Sequence, residues 1–193
     1  MTIPVNIRIE ARQKILCLDA AERILRDARR IAVGECECRA KMKRCDGPLD
    51  VCLFLEEGAD QQIEMGLGKQ VSVEEGLAVL RETTEKGLMH VALVERGSAP
   101  VKYICSCCSC CCQCIAAMQR LGYHDALVSS DMVAAHSPDL CDDCGACVER
   151  CNFGALTMVG DKLRFERSKC FGCGVCLASC PSGALLLQTR SKA

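Results

Sequence analysis

Tryptophan is absent from this chain, and two tyrosines and four phenylalanines are its only aromatic residues. Its organic cores must therefore come from Leu, Ile, Val, Ala and Met, at a size where metal can staple a small core. Charge of one sign is missing too. Twenty-four Lys and Arg stand against 25 Asp and Glu, a formal net charge of −1, which favours neither a nucleic-acid partner nor an acidic one. The basic residues that crowd positions 8–44, from Arg8 and Arg12 to Lys43 and Arg44, read as a solvated helix face. No run is long and apolar enough to span a bilayer. The start Met1-Thr-Ile-Pro-Val-Asn-Ile-Arg8 has no signal-peptide core, so the expected compartment is the cytoplasm. Neither a glycine-rich phosphate loop nor a dinucleotide fingerprint is present. The three histidines, His90, His124 and His136, are scattered over a strand, a helix end and a linker. None sits in a nucleophilic arrangement, and no catalytic residue is expected.

Cysteine is what the chain has instead, at 20 residues. In a reducing compartment that is a metal or redox inventory, seldom a set of disulfides. Eight of them form a repeat. Cys141, Cys144, Cys147 and Cys151 are spaced C-x2-C-x2-C-x3-C, and Cys170, Cys173, Cys176 and Cys180 repeat the spacing. Gly145 and Gly174 follow the second cysteine of each copy, and Gly-Ala-Leu follows the fourth. This rhythm belongs to proteins that wrap two cubane clusters, the fourth cysteine of each copy serving the other cluster. Cys141, Cys144, Cys147 and Cys180 are therefore assigned to one [4Fe–4S] cluster, and Cys170, Cys173, Cys176 and Cys151 to a second. The fourth cysteine is expected to start a short helix that turns it away. Zinc sites take two pairs with a longer gap between them and fit a 2-2-3 rhythm poorly.

Residues 136–190 resemble the bacterial-type dicluster ferredoxins. Pro181 follows the fourth cysteine of the second copy as it usually does in that family, whereas the first copy has Asn152 there. The resemblance implies a small pseudo-twofold βαββαβ module. Within it, 156–159 and 162–165 read as a hairpin around Gly160-Asp161, and 185–187 as a further strand.

The amino-terminal region is harder to read. Apolar residues at Ile15, Leu18, Ala21, Leu25, Ala28 and Ala32 recur at helical steps, predicting one helix over 11–32 closed by Gly34. Ser72 and Glu75 form a capping box for a helix over 73–86. Residues 89–94 and 101–104 read as two strands around a turn at 97–100, and 111–121 as a helix. Helix, loop, helix and hairpin suggest a winged-helix-like arrangement. The fold class expected for the whole is α+β, with a helical amino-terminal domain over 1–128 carrying a small hairpin and a ferredoxin-type domain over 129–193. A short linker over 123–140 is expected to join them.

Ten cysteines of this region are candidate ligands for one or two further [4Fe–4S] clusters: Cys36, Cys38, Cys45, Cys52, Cys105, Cys107, Cys108, Cys110, Cys111 and Cys112. Which four belong together is left open by the spacing, and a zinc site made from the same residues is the alternative. Cys17 and Cys114 read as small buried hydrophobes. The pattern Cys36-x-Cys38-Arg39 … Cys45 … Cys52 … Cys105-x-Cys107-Cys108 resembles the front half of iron–sulfur proteins of anaerobes that carry a ferredoxin domain behind it.

The function expected is one-electron transfer at low potential, on the order of −400 mV, by a polyferredoxin-like carrier or oxidoreductase subunit of anaerobic metabolism. Its partners would be a redox protein donor and acceptor, within a larger oxidoreductase complex or outside one, with no nucleic acid and no membrane span. One alternative is an enzyme subunit whose amino-terminal cluster does chemistry, such as disulfide reduction or reductive activation. Another is a redox-sensing regulator, disfavoured by the acidic character of residues 73–86.

Overall fold

The computed structural model describes residues 11–95, 101–121 and 127–191. Its amino-terminal half is a seven-stranded mixed sheet. In chain order the strands are β1 (Ala11–Leu16), β2 (Ile31–Glu35), β3 (Asp50–Leu55), β4 (Gly68–Gln70), β5 (Met89–Glu95), β6 (Tyr103–Cys107) and β7 (Leu127–Val128). They lie side by side as β4-β2-β3-β6-β5-β1-β7. Every pair is antiparallel except β1 with β7. The α+β class holds, but the region is built on a sheet rather than on helices with a small hairpin.

The single helix read over 11–32 is three elements: β1, helix α1 (Leu18–Asp27) and β2. Its three- and four-residue apolar steps are real only in α1, which buries Ala21 and Leu25. Ile15 and Leu16 are adjacent and both buried, because a central strand with both faces covered shows no alternation of burial. Cys17, read as a residue inside that helix, is the N-cap of α1, and Gly34 lies in β2 rather than closing a helix.

Side chains that alternate along each strand divide the core in two. Leu16, Leu53, Ala92 and Ile104 point to one face, where α1 and α4 (Val73–Glu85) cover them with Leu25, Leu77 and Leu80. The Ser72 hydroxyl accepts from the Glu75 N–H and the Glu75 carboxylate accepts from the Ser72 N–H, so α4 begins at the capping box as expected. Gly76 lies where α1 and α4 approach most closely, since a Cβ there would sit 2.9 Å from the Leu25 side chain. Also on this face, buried His90 shares a hydrogen bond of 2.9 Å with the Thr84 hydroxyl, and burial holds its imidazole down to about 4. Ile15, Met89, Val91 and Cys107 point to the other face. There they meet Ile115 and Met118 of α5 (Gln113–Leu121) together with Val175, Phe153 and Phe171 from the carboxy-terminal module.

That module begins inside the stretch read as a linker. β8 (Met132–His136) pairs antiparallel with β11 (Leu185–Thr189), so His136 is a strand residue rather than a solvated linker residue, and its buried Nε2 has no partner among the described residues. Between them lie α6 (Ala146–Arg150) and the expected hairpin of β9 (Leu156–Val159) and β10 (Lys162–Phe165). A 3₁₀ turn over Leu177–Ser179 stands where the second helix of the twofold would be. The winged-helix analogy fails, since β5 and β6 are interior strands of the wide sheet. The turn read at 97–100 and the role read for His124 fall outside the described residues.

Candidate metal centres

In the dicluster module each cysteine motif closes on itself and then hands its last thiol across. Cys141, Cys144 and Cys147 line one small cavity together with Cys180. Cys170, Cys173 and Cys176 line another together with Cys151. Positive φ at Gly145 and at Gly172 (75° and 70°) turns each loop so that its thiols face inward. The fourth cysteine does not start the short helix as expected. Cys151 caps the end of α6, and Cys180 ends the 3₁₀ turn, so each leaves its helical turn toward the opposite motif.

Backbone donors already point at these sulfurs. The Ala155 N–H donates to the Cys151 Sγ at 3.2 Å, and the Ala134 N–H donates to the Cys170 Sγ at 3.5 Å. Burial, helped by the neighbouring thiols and opposed by a backbone N–H, pushes Cys147 up to about 11. Burial pushes Cys173 up to about 12 and Cys176 further still. At Cys180 burial also pushes upward, but the Ser182 hydroxyl and the N–H groups of Ala184 and Leu185 outweigh it and lower the thiol. Buried thiols of this kind give up their protons to a metal rather than to water.

Asn152, the departure from the usual proline, has a structural role. Its side-chain amide donates to the Gly87 carbonyl at 3.3 Å, and its own carbonyl accepts from the Gln119 side chain at 2.8 Å. It stitches the module to α5 and to the turn after α4.

In the amino-terminal half the cysteines come from four places and meet on the sheet face that α4 leaves uncovered. Cys36 follows β2 as the N-cap of α2 (Glu37–Met42), and Cys38 lies within α2. Cys52 sits in β3 opposite Gly34, while Cys105 and Cys107 sit in β6 opposite Val91 and Met89. Cys112 precedes α5. These six line a cavity of about 320 Å³, with Cys108 and Cys111 along one wall. Cys52, one of the candidate ligands, is also a core residue: it is 5% exposed and its thiol meets those of Cys36 and Cys105.

Thiol-to-thiol hydrogen bonds run on through this set and sort it by acidity. Bonds from Cys107 and Cys52 bring Cys105 down to about 5. Bonds from Cys107 and Cys114 bring Cys112 down to about 3, helped by the N–H groups of Ile115 and Cys114 at the start of α5. Cys36, Cys107 and Cys114 are raised, each chiefly by its bond to a neighbouring cysteine. Cys114 packs against the core as read, and its thiol also meets that of Cys112. Cys38 is raised by burial.

A second set stands beside the first. The sulfurs of Cys45, Cys108, Cys110 and Cys111 all lie within 4.8 Å of one another. Cys45 comes from the loop after α2, which Lys43 turns with φ 48°. The others come from the turn between β6 and α5. Burial would raise Cys45, but the Gly47 N–H and the sulfurs of Cys110, Cys111 and Cys108 bring it down to about 7.

Between the two sets lies Arg39, 1% exposed. Its guanidinium donates to the carbonyls of Pro48 (2.5 Å) and Ser106 (2.9 Å) and to the Cys108 Sγ (3.5 Å), while Nε finds no partner among the described residues. Burial opposes its charge, yet the sulfurs of Cys108, Cys36 and Cys45 hold the cation firmly on. Only its neighbourhood was legible beforehand: it stands directly after Cys36-x-Cys38, in a basic stretch that read as solvent-facing.

Residues 140–184 match the family model for the 4Fe-4S dicluster domain. No curated protein matches the chain. The carboxy-terminal part is thus a 4Fe–4S dicluster domain, a module of iron–sulfur electron transfer, and the cysteine-rich region in front of it can bind metal. Among the described residues no helix is long and apolar enough to cross a membrane.

Proposed function

We propose that the chain is a relay for single electrons, a polyferredoxin-like carrier or oxidoreductase subunit of anaerobic metabolism. It would comprise an amino-terminal domain over 1–128 and the dicluster domain over 129–193. Each [4Fe–4S] cluster, when bound, takes up and returns one electron. One observation carries the reading: the eight motif cysteines line two separate cavities, each taking three thiols from one motif and the fourth from the other. Cys141, Cys144, Cys147 and Cys180 are the proposed ligands of one cluster, and Cys170, Cys173, Cys176 and Cys151 those of the second. A further [4Fe–4S] cluster is proposed in the amino-terminal cavity, with its four ligands drawn from Cys36, Cys38, Cys52, Cys105, Cys107 and Cys112.

Packing supports a direction for the relay. Cys173, Phe171 and Val175 join Cys107, Cys112 and Ile115 in one hydrophobic cluster, so the second quartet abuts the amino-terminal cavity through apolar side chains. The first quartet is the outward one, with Cys144 exposed. Leu140, before Cys141, and Met158, beside Gly145, present apolar surface around it to a redox protein partner. The chain's own task is to orient the sulfurs, donate N–H groups to them and keep the path between the cavities dry.

A second reading is an enzyme subunit whose amino-terminal centre does chemistry. It is favoured by the surplus of thiols, since six line a cavity where one cubane needs four.

The test is iron and acid-labile sulfide on protein purified without oxygen, with EPR of the reduced form. Cys144→Ala and Cys173→Ala should each remove about four irons and four sulfides. Unchanged content in both would sink the relay. A signal that alters on adding a disulfide substrate would favour the enzyme.

A further inference from the structure

The two amino-terminal sulfur sets differ in size, and size is diagnostic. A tetrahedral ion with metal–sulfur bonds of about 2.3 Å holds its four sulfurs about 3.8 Å apart. A cubane interposes four irons and four sulfides, so its thiolates stand well outside that spacing. In the compact set Cys45 to Cys108, Cys45 to Cys111 and Cys110 to Cys111 are each 3.8 Å. Among the described residues this is the quartet gathered within 4.8 Å; neither quartet of the dicluster domain is drawn in so far. From this we infer that Cys45, Cys108, Cys110 and Cys111 bind one thiophilic divalent ion, zinc or iron, as a mononuclear tetrathiolate distinct from any cluster.

The surroundings fit that ion. Four thiolates around a dication carry two negative charges, and the Arg39 guanidinium lies 3.5 Å from the Cys108 Sγ. The Gly47 N–H donates to Cys45 and the Arg44 N–H to Cys111, the kind of outer donor that orients and stabilises a metal-bound thiolate. Four protein ligands complete the shell, so the ion is structural and keeps no open position for substrate. It ties the loop carrying Cys45 to a turn 63 residues further on. Because Cys108 and Cys111 also line the neighbouring cavity, the ion holds the wall against which the other thiols converge.

The inference needs the cluster reading only for its neighbours, and the two can fail separately. In a [4Fe–4S] cluster iron and labile sulfide are equal, so the native chain should carry one zinc or iron ion in excess of its sulfide. Excess zinc identifies one source. Excess iron that gives a ferric–thiolate visible band on oxidation identifies the other. Cys110→Ser should remove the excess ion and leave sulfide unchanged. Metal equal to sulfide in the native protein, or loss of about four irons and four sulfides from Cys110→Ser, overturns the proposal. If that variant does not fold, the native ratio decides alone. Absence of sulfide with one bound ion would sink the clusters and keep this site.

Discussion

In the dicluster domain the thiols stand around their cavities at a distance, held there by a loop that repeats every three residues and turns on glycine. In the amino-terminal half thiols from α2 and its N-cap, from β3 and β6 and from two loops crowd together, with sulfur beside sulfur and a buried arginine in their midst. The first arrangement is local: one motif supplies three ligands, and the sheet needs only to bring in the fourth. The second is wholly tertiary. No segment supplies more than a few of the sulfurs, and the sheet register decides which ones meet. Local sites should therefore fail by backbone strain in their own loop, and tertiary sites by loss of whatever balances their charge.

The largest effect on the local side is expected at Gly172. With φ +70°, an added Cβ would stand 2.0 Å from the Met132 carbonyl oxygen and 2.4 Å from the Ser130 hydroxyl. The loop cannot retreat. The Ser130 hydroxyl donates to the Gly172 carbonyl at 2.8 Å, and Arg190 donates to the Cys170 carbonyl at 2.7 Å. Gly172→Ala should cost about 4 kcal/mol or more in denaturant unfolding and take the iron of that quartet with it. At Gly154, φ is +65° but nothing lies within 4 Å, so Gly154→Ala should cost only about 1–2 kcal/mol and keep its iron. Equal losses at the two positions would mean that close packing of the loop is not what fixes the thiols.

What could be read from the sequence follows the same division. The dicluster spacing, the hairpin at 156–165, the capping box at Ser72 and the strand character of 89–94 are all local signals, and all appear in the structure. The three elements between Ala11 and Glu35 were not legible, because a strand buried on both faces loses the alternation that would mark it. β8 was missed for another reason: Met132–His136 is short, and only its pairing with β11 makes it a strand. The grouping of the amino-terminal cysteines depends on β3 lying next to β6, a non-local pairing that spacing along the chain does not encode.

On the tertiary side the breaking point is Arg39. Its charge is buried among sulfurs, and its hydrogen bonds to Pro48, Ser106 and Cys108 fan out as only a guanidinium can. Arg39→Gln should destabilise the chain by about 3 kcal/mol and release the ion held by Cys45. Arg39→Lys, which keeps the charge and loses the fork, should rescue little. Arg44 is the control. It is exposed and reaches the Cys110 carbonyl at 3.4 Å, so Arg44→Ala should shift stability by less than about 0.5 kcal/mol. Thermal unfolding with metal analysis before and after gel filtration checks both. An Arg39→Gln protein that keeps its metals and its midpoint would show that the sulfurs need no buried counter-charge.

Controls aside, the mildest effect is expected where the two regions touch. Asn152 occupies the position that proline holds in the second motif, and its side chain binds the Gly87 carbonyl across the boundary. Replacing it with proline makes the two motifs alike. The change removes two partly buried hydrogen bonds, to the Gly87 and Arg150 carbonyls, at about 1 kcal/mol each, and returns part of that by stiffening the unfolded chain. The Gln119 bond to the residue 152 carbonyl survives, since a proline keeps its carbonyl. Asn152→Pro should therefore leave iron and sulfide unchanged and lower stability by no more than about 2 kcal/mol. Its effect should appear instead as faster hydrogen exchange at Leu88 and in α5. If it removes a cluster, residue 152 acts on its neighbour Cys151 and the cubane loop, and the division between local site and tertiary docking breaks down at this residue.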